Sequence, residues 1–236
     1  MISFKNVSFS YDDKEFILDN ITFQFQPGLT LLTGPNGCGK STLLKLAAGI
    51  EKPDSGNISI NGHDLWIQEV AARQSLAYLP EHPDLTPYAA IRDILKLVWR
   101  LRGRPDEGII PALEFFDLES MANRSVRKLS KGQRRRAVFA ALLIGNPEYL
   151  LLDEPLEGLD RAVQDKILSW IKDALETDKT IVAVSHVYTP FLSIASHAVT
   201  IDKGKIFQIQ NLPSDESEKH NILDALARGT FISHHL

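Results

Sequence analysis

The sequence has a single cysteine, Cys38, in 236 residues, so no disulfide can form within the chain and a reducing compartment suits it. Nor is there an excess of basic residues. The 26 Lys and Arg stand against 30 Asp and Glu, a net charge of −4, and such a field does not favour DNA or RNA as a partner. Long apolar runs are missing as well. The longest, Ala137 to Ile144, falls far short of the roughly 20 residues that span a bilayer. The opening Met1-Ile2-Ser3-Phe4-Lys5 lacks the charged and then apolar blocks of a secretion signal. These absences predict a cytoplasmic chain with no direct membrane insertion and no nucleic-acid partner, whose membrane role, if it has one, runs through another chain. Internal repeats and low-complexity tracts are absent too.

What remains is a composition 44% hydrophobic, enough to bury one sizeable core. Ile2, Phe4, Phe9 and Tyr11, then Ile21, Phe23 and Phe25, alternate with polar residues, which predicts antiparallel strands. Asn57-Ile58-Ser59-Ile60 repeats the pattern and runs into the turn pair Asn61-Gly62. Leu29 to Leu32 reads as a strand leading through a glycine-rich loop into a helix that Gly49 closes. Helices are predicted over 91–101, with Ile91, Ile94, Leu95, Val98 and Leu101 on one face, and over 111–118 and 131–144. The stretch 84–146 is therefore a helical block set into an α/β pattern. Strand-like Tyr149 to Leu152, a helix at 161–176 and the apolar strand Thr180 to Ser185 follow. Residues 211–236 carry no readable motif.

The strongest chemical signal is Gly34-Pro35-Asn36-Gly37-Cys38-Gly39-Lys40-Ser41-Thr42, a complete phosphate-loop pattern between a strand and a helix. Its glycines let backbone N–H groups turn inward, and the helix that follows adds about half a positive charge at its N-terminus. Such a nest suits a triphosphate. Lys40 would contact the outer phosphates, and the Ser41 hydroxyl would join the oxygen shell of Mg²⁺. Asp153 and Glu154 close a strand expected to be buried, at the rim where phosphate-loop sheets bind ligands. Asp153 would hold Mg²⁺, and Glu154 would orient and deprotonate an attacking water. A solvated pair or a helix cap is the alternative for these two acids. Ser130-x-x-Gln133 is by itself an ordinary capping box, yet a capping box does not require Gly132, which costs up to about 1 kcal/mol in a first helical turn.

Leu129-Ser130-Lys131-Gly132-Gln133, upstream of Tyr149 to Leu152 and Asp153-Glu154, resembles the signature of ATP-binding cassette (ABC) ATPases. The matches run in family order from residue 11 to residue 186. The resemblance implies one α/β domain over 1–236 with the phosphate-loop NTPase fold. A RecA-like core and an N-terminal antiparallel β subdomain would occupy 1–83 and 147–210, an inserted α-helical subdomain 84–146, and a tail 211–236. It implies ATP and Mg²⁺ as cofactors and a head-to-tail pair of cassettes. In that pair the loop Gly34, Pro35, Asn36, Gly37, Cys38, Gly39, Lys40, Ser41 and Thr42 of one copy, and Ser130, Lys131, Gly132 and Gln133 of the other, would enclose each ATP. By the same resemblance Tyr11 stacks on adenine, His186 contacts the γ-phosphate, and Glu157 to Asp160 lies where the two copies communicate.

This chain departs from the family pattern at two positions. Lys131 stands where glycine is common, and Glu81, in Tyr78-Leu79-Pro80-Glu81, stands where glutamine is common; as a metal-site residue Glu81 adds a negative charge beside Asp153 and Glu154. Cys38 reads as a small filler whose alkylation is expected to block ATP binding. The block Arg134-Arg135-Arg136 fits the arginines that commonly follow the signature. The family reading is the ATPase subunit of a transporter, held at the inner face of the cell membrane by a separate multi-span permease. The Leu79-Pro80-Glu81 variant looks more like export-type cassettes. The alternatives are a soluble cassette ATPase serving as an assembly factor, for example in iron–sulfur cluster building, and a nucleotide-gated scaffold without turnover.

Overall fold

The computed structural model describes residues 1–12, 15–103, 108–209 and 211–229. Two sheets organise them. The first is antiparallel where β1 (Ile2–Phe9) pairs with β2 (Leu18–Phe25) and with β4 (Ser55–Ile60), and the short β5 (His63–Asp64) lies against β4, giving the order β2-β1-β4-β5. Phe4 and Phe9 are five residues apart, so a regular strand would send them to opposite faces. A register shift between Phe4 and Val7, with Asn6 at φ 50°, changes the phase, and both rings are buried.

The second sheet is built on β3 (Gly28–Thr33), β6 (Leu76–Leu79), β7 (Tyr149–Asp153), β8 (Thr180–Val184), β9 (Ala195–Asp202) and β10 (Lys205–Ile209), in the order β10-β9-β3-β8-β7-β6. Its inner strands are parallel. β7 and β8 are buried at every position, as the unbroken apolar runs predict for strands covered on both faces. One apolar cluster lies between the two sheets around α1 (Lys40–Ala47) and includes Phe4, Phe25, Leu43, Leu151 and Val182. The other fills the space between the second sheet and the remaining long helices.

Those helices are α3 (Ile91–Leu101), α4 (Ile109–Phe115), α5 (Lys131–Leu143) and α6 (Arg161–Leu175), with the short α2 (Glu69–Arg73) beside β5. The predicted helix at 111–118 lies instead at Ile109–Phe115. Asp117 adopts φ 53° and Leu118 N donates to the Leu113 carbonyl at 2.8 Å, a left-handed closure that stops the helix early. Pro111 is tolerated because it sits in the first turn. On α3 the predicted apolar face is shorter than expected. Ile91 and Leu95 are buried, whereas Leu101, in the last turn, is 71% exposed.

The stretch without a readable motif contains α7 (Glu216–Ala227). Asp215 caps it, accepting the Glu218 N–H at 2.8 Å. The buried Lys219 fastens it to the sheet by donating to the Leu192 carbonyl at 2.7 Å and the Ala195 carbonyl at 2.8 Å. Removing the ammonium leaves two carbonyls without a partner but also removes a buried charge. Lys219→Met is therefore expected to cost about 1–3 kcal/mol, read as a melting temperature lower by roughly 2–4 °C per kcal/mol; an unchanged melting temperature would show that α7 is not coupled to the core.

Candidate active site

The parallel register sets the site. Leu32 of β3 and Asp153 of β7 both pair with Val184 of β8, so three strands finish at one level. The chain beyond each end delivers the phosphate loop, Glu154 and His186 to the same edge. β6, paired in parallel with β7, brings Glu81 there through Leu79-Pro80. An open cavity of about 350 Å³ at this edge is lined by Tyr11, Ile17, Asn36, Gly37, Gly39, Lys40, Ser41, Thr42, Glu81, Asp153, Glu154, Val184 and His186.

Local forces shape the loop. A Cβ on Gly34 would stand 2.9 Å from the Cys38 sulfur, and one on Gly39 would stand 2.8 Å from an Ile17 methyl, both at positive φ. These two glycines are required by close approach and by backbone conformation together. Gly39 is also the N-cap of α1, and no side chain caps that helix. Its free N–H groups therefore open into the cavity. Lys40 folds across the loop, its Nζ donating to the carbonyls of Gly34 at 2.8 Å and Pro35 at 2.9 Å. Cys38 packs against the inter-sheet core, and burial pushes its thiol up, which slows alkylation at neutral pH.

The carboxylates are the electrostatic centre. Asp153 is 3% exposed and hydrogen-bonds Ser41; burial raises its pKa, with the Glu81 charge adding to the rise and Lys40 opposing it. Glu154 is buried too, and burial likewise lifts it above the ordinary carboxylate range, opposed mainly by His186. One Glu154 oxygen accepts the His186 backbone N–H at 2.9 Å and lies 3.8 Å from the exposed His186 Nε2. The backbone of Glu154 is left-handed, at φ 47°. Two buried acids, with the exposed Glu81 beside them, face one lysine, and negative charge on the buried pair is expensive until a cation joins it. Ser41 and Asp153 offer oxygen donors alone, in mutual contact, and that donor chemistry fits Mg²⁺.

Other predicted residues lie elsewhere. Ser130, Lys131, Gly132, Gln133 and Asp160 do not line this cavity. Ser130 and Gln133 form the full capping box of α5, with Gln133 N to Ser130 Oγ at 3.2 Å and Ser130 N to Gln133 Oε1 at 3.0 Å. Gly132 has open space where a Cβ would be, so nothing inside the chain requires a glycine there. Asp160 caps α6 through the Val163 N–H at 3.0 Å. Pro35 contributes a backbone carbonyl to Lys40 rather than a wall of the cavity. Tyr11 is exposed, its ring set edge-on to Phe9 and its hydroxyl 3.5 Å from Thr42 Oγ1. Sequence reasoning missed Ile17 and Val184, apolar linings with no motif around them.

The family model described as ABC transporter matches residues 18–157. The chain belongs to the ABC transporter family. The Nod factor export ATP-binding protein I of Burkholderia pseudomallei is 34% identical over 209 residues, 86% of this chain and 68% of that protein. Its counterpart in Rhizobium etli is 31% identical over 230 residues, covering 95% of this chain and 70% of that protein. Among solved structures, the ATP-binding subunit of an ABC transporter superposes with a TM-score of 0.85 at 23% identity, over 99% of this chain and 98% of that one. A dimeric bacterial ABC transporter cassette gives 0.78 at 23% identity, over 90% and 100%. The chain is thus an ABC ATPase cassette with the phosphate-loop NTPase fold, and among the described residues no helix is long and apolar enough to cross a membrane.

The raised Glu154 pKa fixes the sign of a pH effect. The folded cassette holds this proton more tightly than the unfolded chain, so the stability contribution is full at low pH and is lost as pH rises from the ordinary value of 4.5. Glutamine keeps the acceptor for His186 and carries no charge. The cassette without nucleotide is therefore expected to melt several degrees higher as Glu154→Gln at pH 7.5, with the gap closing towards pH 4. A gap that stays constant with pH would contradict the electrostatic account.

Proposed function

We propose that the chain binds and hydrolyses ATP to drive export through a separate membrane subunit, with two cassettes closing head to tail around the nucleotide. The observation that carries this reading is a site split over two surfaces. The loop, Lys40, Ser41, Asp153, Glu154 and His186 converge on one cavity, whereas Ser130 and the bare Gly132 stand outside its lining, at the start of α5. A glycine with empty space above it, beside a helix N-terminus, suits close approach by a phosphate carried on another copy. Asp160 and Glu157, next to Glu154, would carry the state of one site to the other. The names of the curated relatives support ATP-driven export.

Each group then has a task. The free N–H groups at the start of α1 and the loop hold the triphosphate, and Lys40 exchanges its two carbonyl partners for outer-phosphate oxygens. Tyr11 and Ile17 form the apolar end of the cavity, where an adenine ring stacks. Ser41 and Asp153, with Glu81 near them, would hold Mg²⁺, which neutralises phosphate charge when bound. Burial keeps the Glu154 carboxylate basic enough to take a proton from water. His186, tethered to Glu154 by its backbone, turns its exposed ring towards the γ-phosphate. With a pair of such sites closed, the product of hydrolysis reopens the pair, and the cassettes are held at the inner face of the membrane by the permease.

Two substitutions test the two surfaces separately. Glu154→Gln is expected to lower the rate of ATP hydrolysis by about 10² to 10⁴ while ATP binding, followed by calorimetry, is retained. A mutant hydrolysing at the wild-type rate would remove Glu154 from the reaction. Ser130→Arg should leave ATP binding at Lys40 intact and abolish ATP-dependent pairing in size-exclusion chromatography; pairing that persists would reduce the segment to a helix cap. Co-purification with cluster-assembly proteins in place of a membrane protein would overturn the transport role.

A further inference from the structure

Arginines 134 to 136 follow the capping box, and each goes to a different place. Arg136 turns inward, donating to the Phe116 carbonyl at 3.1 Å and pairing with Asp117 at 3.6 Å. Arg134 lines a cleft of about 510 Å³ together with Glu81 and Glu157. Arg135 also borders that cleft, but its Nη2 crosses to the second sheet and donates to the backbone carbonyl of Glu154 at 3.0 Å. Its guanidinium lies 5.7 Å from the Phe139 ring centre, one turn further along α5. Burial lowers the Arg135 pKa and Glu157 opposes that shift.

The carbonyl that Arg135 holds belongs to a residue in a costly conformation. A glutamate at φ 47° carries a backbone penalty that persists only where the surroundings over-determine it. Three contacts besides Arg135 fix it: Glu154 N to the Val184 carbonyl at 3.0 Å, the side chain to His186 N at 2.9 Å, and a longer turn contact from Glu157 N to the Glu154 carbonyl at 3.3 Å. The first two come from the last residue of β8 and from His186, two residues beyond it, and the third from the turn itself. Arg135 alone among these links Glu154 to the helical block. It is also a charged donor, which makes the stronger bond to that carbonyl.

We propose that Arg135 is a positioning residue for hydrolysis: it locks the left-handed backbone of Glu154 from the helix that begins at Ser130, so the base is aimed only when α5 is seated against the second sheet. The inference rests on Glu154 being the base. α5 therefore carries two functions on successive residues, a cap at Ser130 to Gln133 that faces outward and an arginine that reaches inward to the acid. A displacement of α5 would change the angle at which Glu154 meets water without touching the nucleotide.

The test is a double-mutant cycle on the full chain, read by steady-state ATP hydrolysis. Arg135→Met should lower kcat by about ten- to a hundred-fold, the cost of misplacing a reacting group by about an ångström, with KM for ATP unchanged. Arg135→Lys, which keeps a charged donor, should recover part of the loss. In the Glu154→Gln background Arg135→Met should cost nothing further, because the group it positions is already disabled. The same fold-loss in both backgrounds, or a rise in KM without a fall in kcat, would overturn the positioning role in favour of a structural one. If Arg135→Met does not fold, the comparison is made with Arg135→Lys alone, where an unchanged kcat would also overturn it. Were Glu154→Gln to hydrolyse normally, the base assignment would fall first. Were Glu154→Gln inactive and both Arg135 variants fully active, only the present inference would fall.

Discussion

The structure depends on the parallel register of β3, β8 and β7. Pairing Leu32 and Asp153 with the same residue, Val184, ends three strands together, and the turn after each one is forced into a common space. A slip of one residue in the β7–β8 pairing would send Asp153 to the other face of the sheet, and one in the β3–β8 pairing would displace the start of the phosphate loop. The complete burial of β7 and β8 makes such a slip costly, because it would exchange apolar neighbours on both layers at once. The geometry at the edge is therefore fixed first by the packing of the apolar strands, and the contacts among the polar groups build on it.

That packing creates an electrostatic problem. Asp153 and Glu154 are buried next to each other, with Glu81 half-exposed nearby, and burial raises the pKa of the first two. Within the chain they are answered by Lys40, the Ser41 hydroxyl and the His186 N–H. Lys40 itself is engaged with two loop carbonyls. The arrangement is thus poised for a ligand that brings both cation and phosphate: the cation compensates the acids, and the phosphates compensate the lysine and the free N–H groups of α1. Each half of the site lacks what the other half of the ligand supplies. Glu81, in place of a neutral glutamine, makes the unliganded acid cluster more negative.

Much of this was legible in the sequence because the deciding features are local. The phosphate loop, the apolar run before Asp153-Glu154 and the strand before His186 each announce themselves within a few residues. The β subdomain, the helical block and the cap at Ser130 could be read in the same way. What stayed hidden depends on distant partners. Ile17, just before β2, meets Gly39 across a sequence separation that no local pattern reveals, and Val184 is a lining residue only by virtue of register. The helix α7 was missed although Asp215-x-x-Glu218 is a capping pattern, because its inward side is short, with Leu223 and Leu226 joined there by a charged residue, Lys219. The boundary error at 111–118 came from Asp117, whose left-handed conformation is common for aspartate but carries no signal in an apolar periodicity.

The helix α5 joins these levels. Its capping box occupies the N–H groups of Ser130 and Gln133, so those two need no partner outside the helix. The helix nevertheless keeps a glycine with nothing above it and an arginine with a carbonyl beneath it. Both cost stability: the glycine within the helix itself, through backbone entropy, and the arginine when α5 packs against the sheet, through burial of charge. Stability alone would select alanine at the first and an apolar residue at the second. Two departures from what a stable helix would choose, three residues apart on one side of α5, are what a mechanical connection between an outer surface and the Glu154 backbone would require.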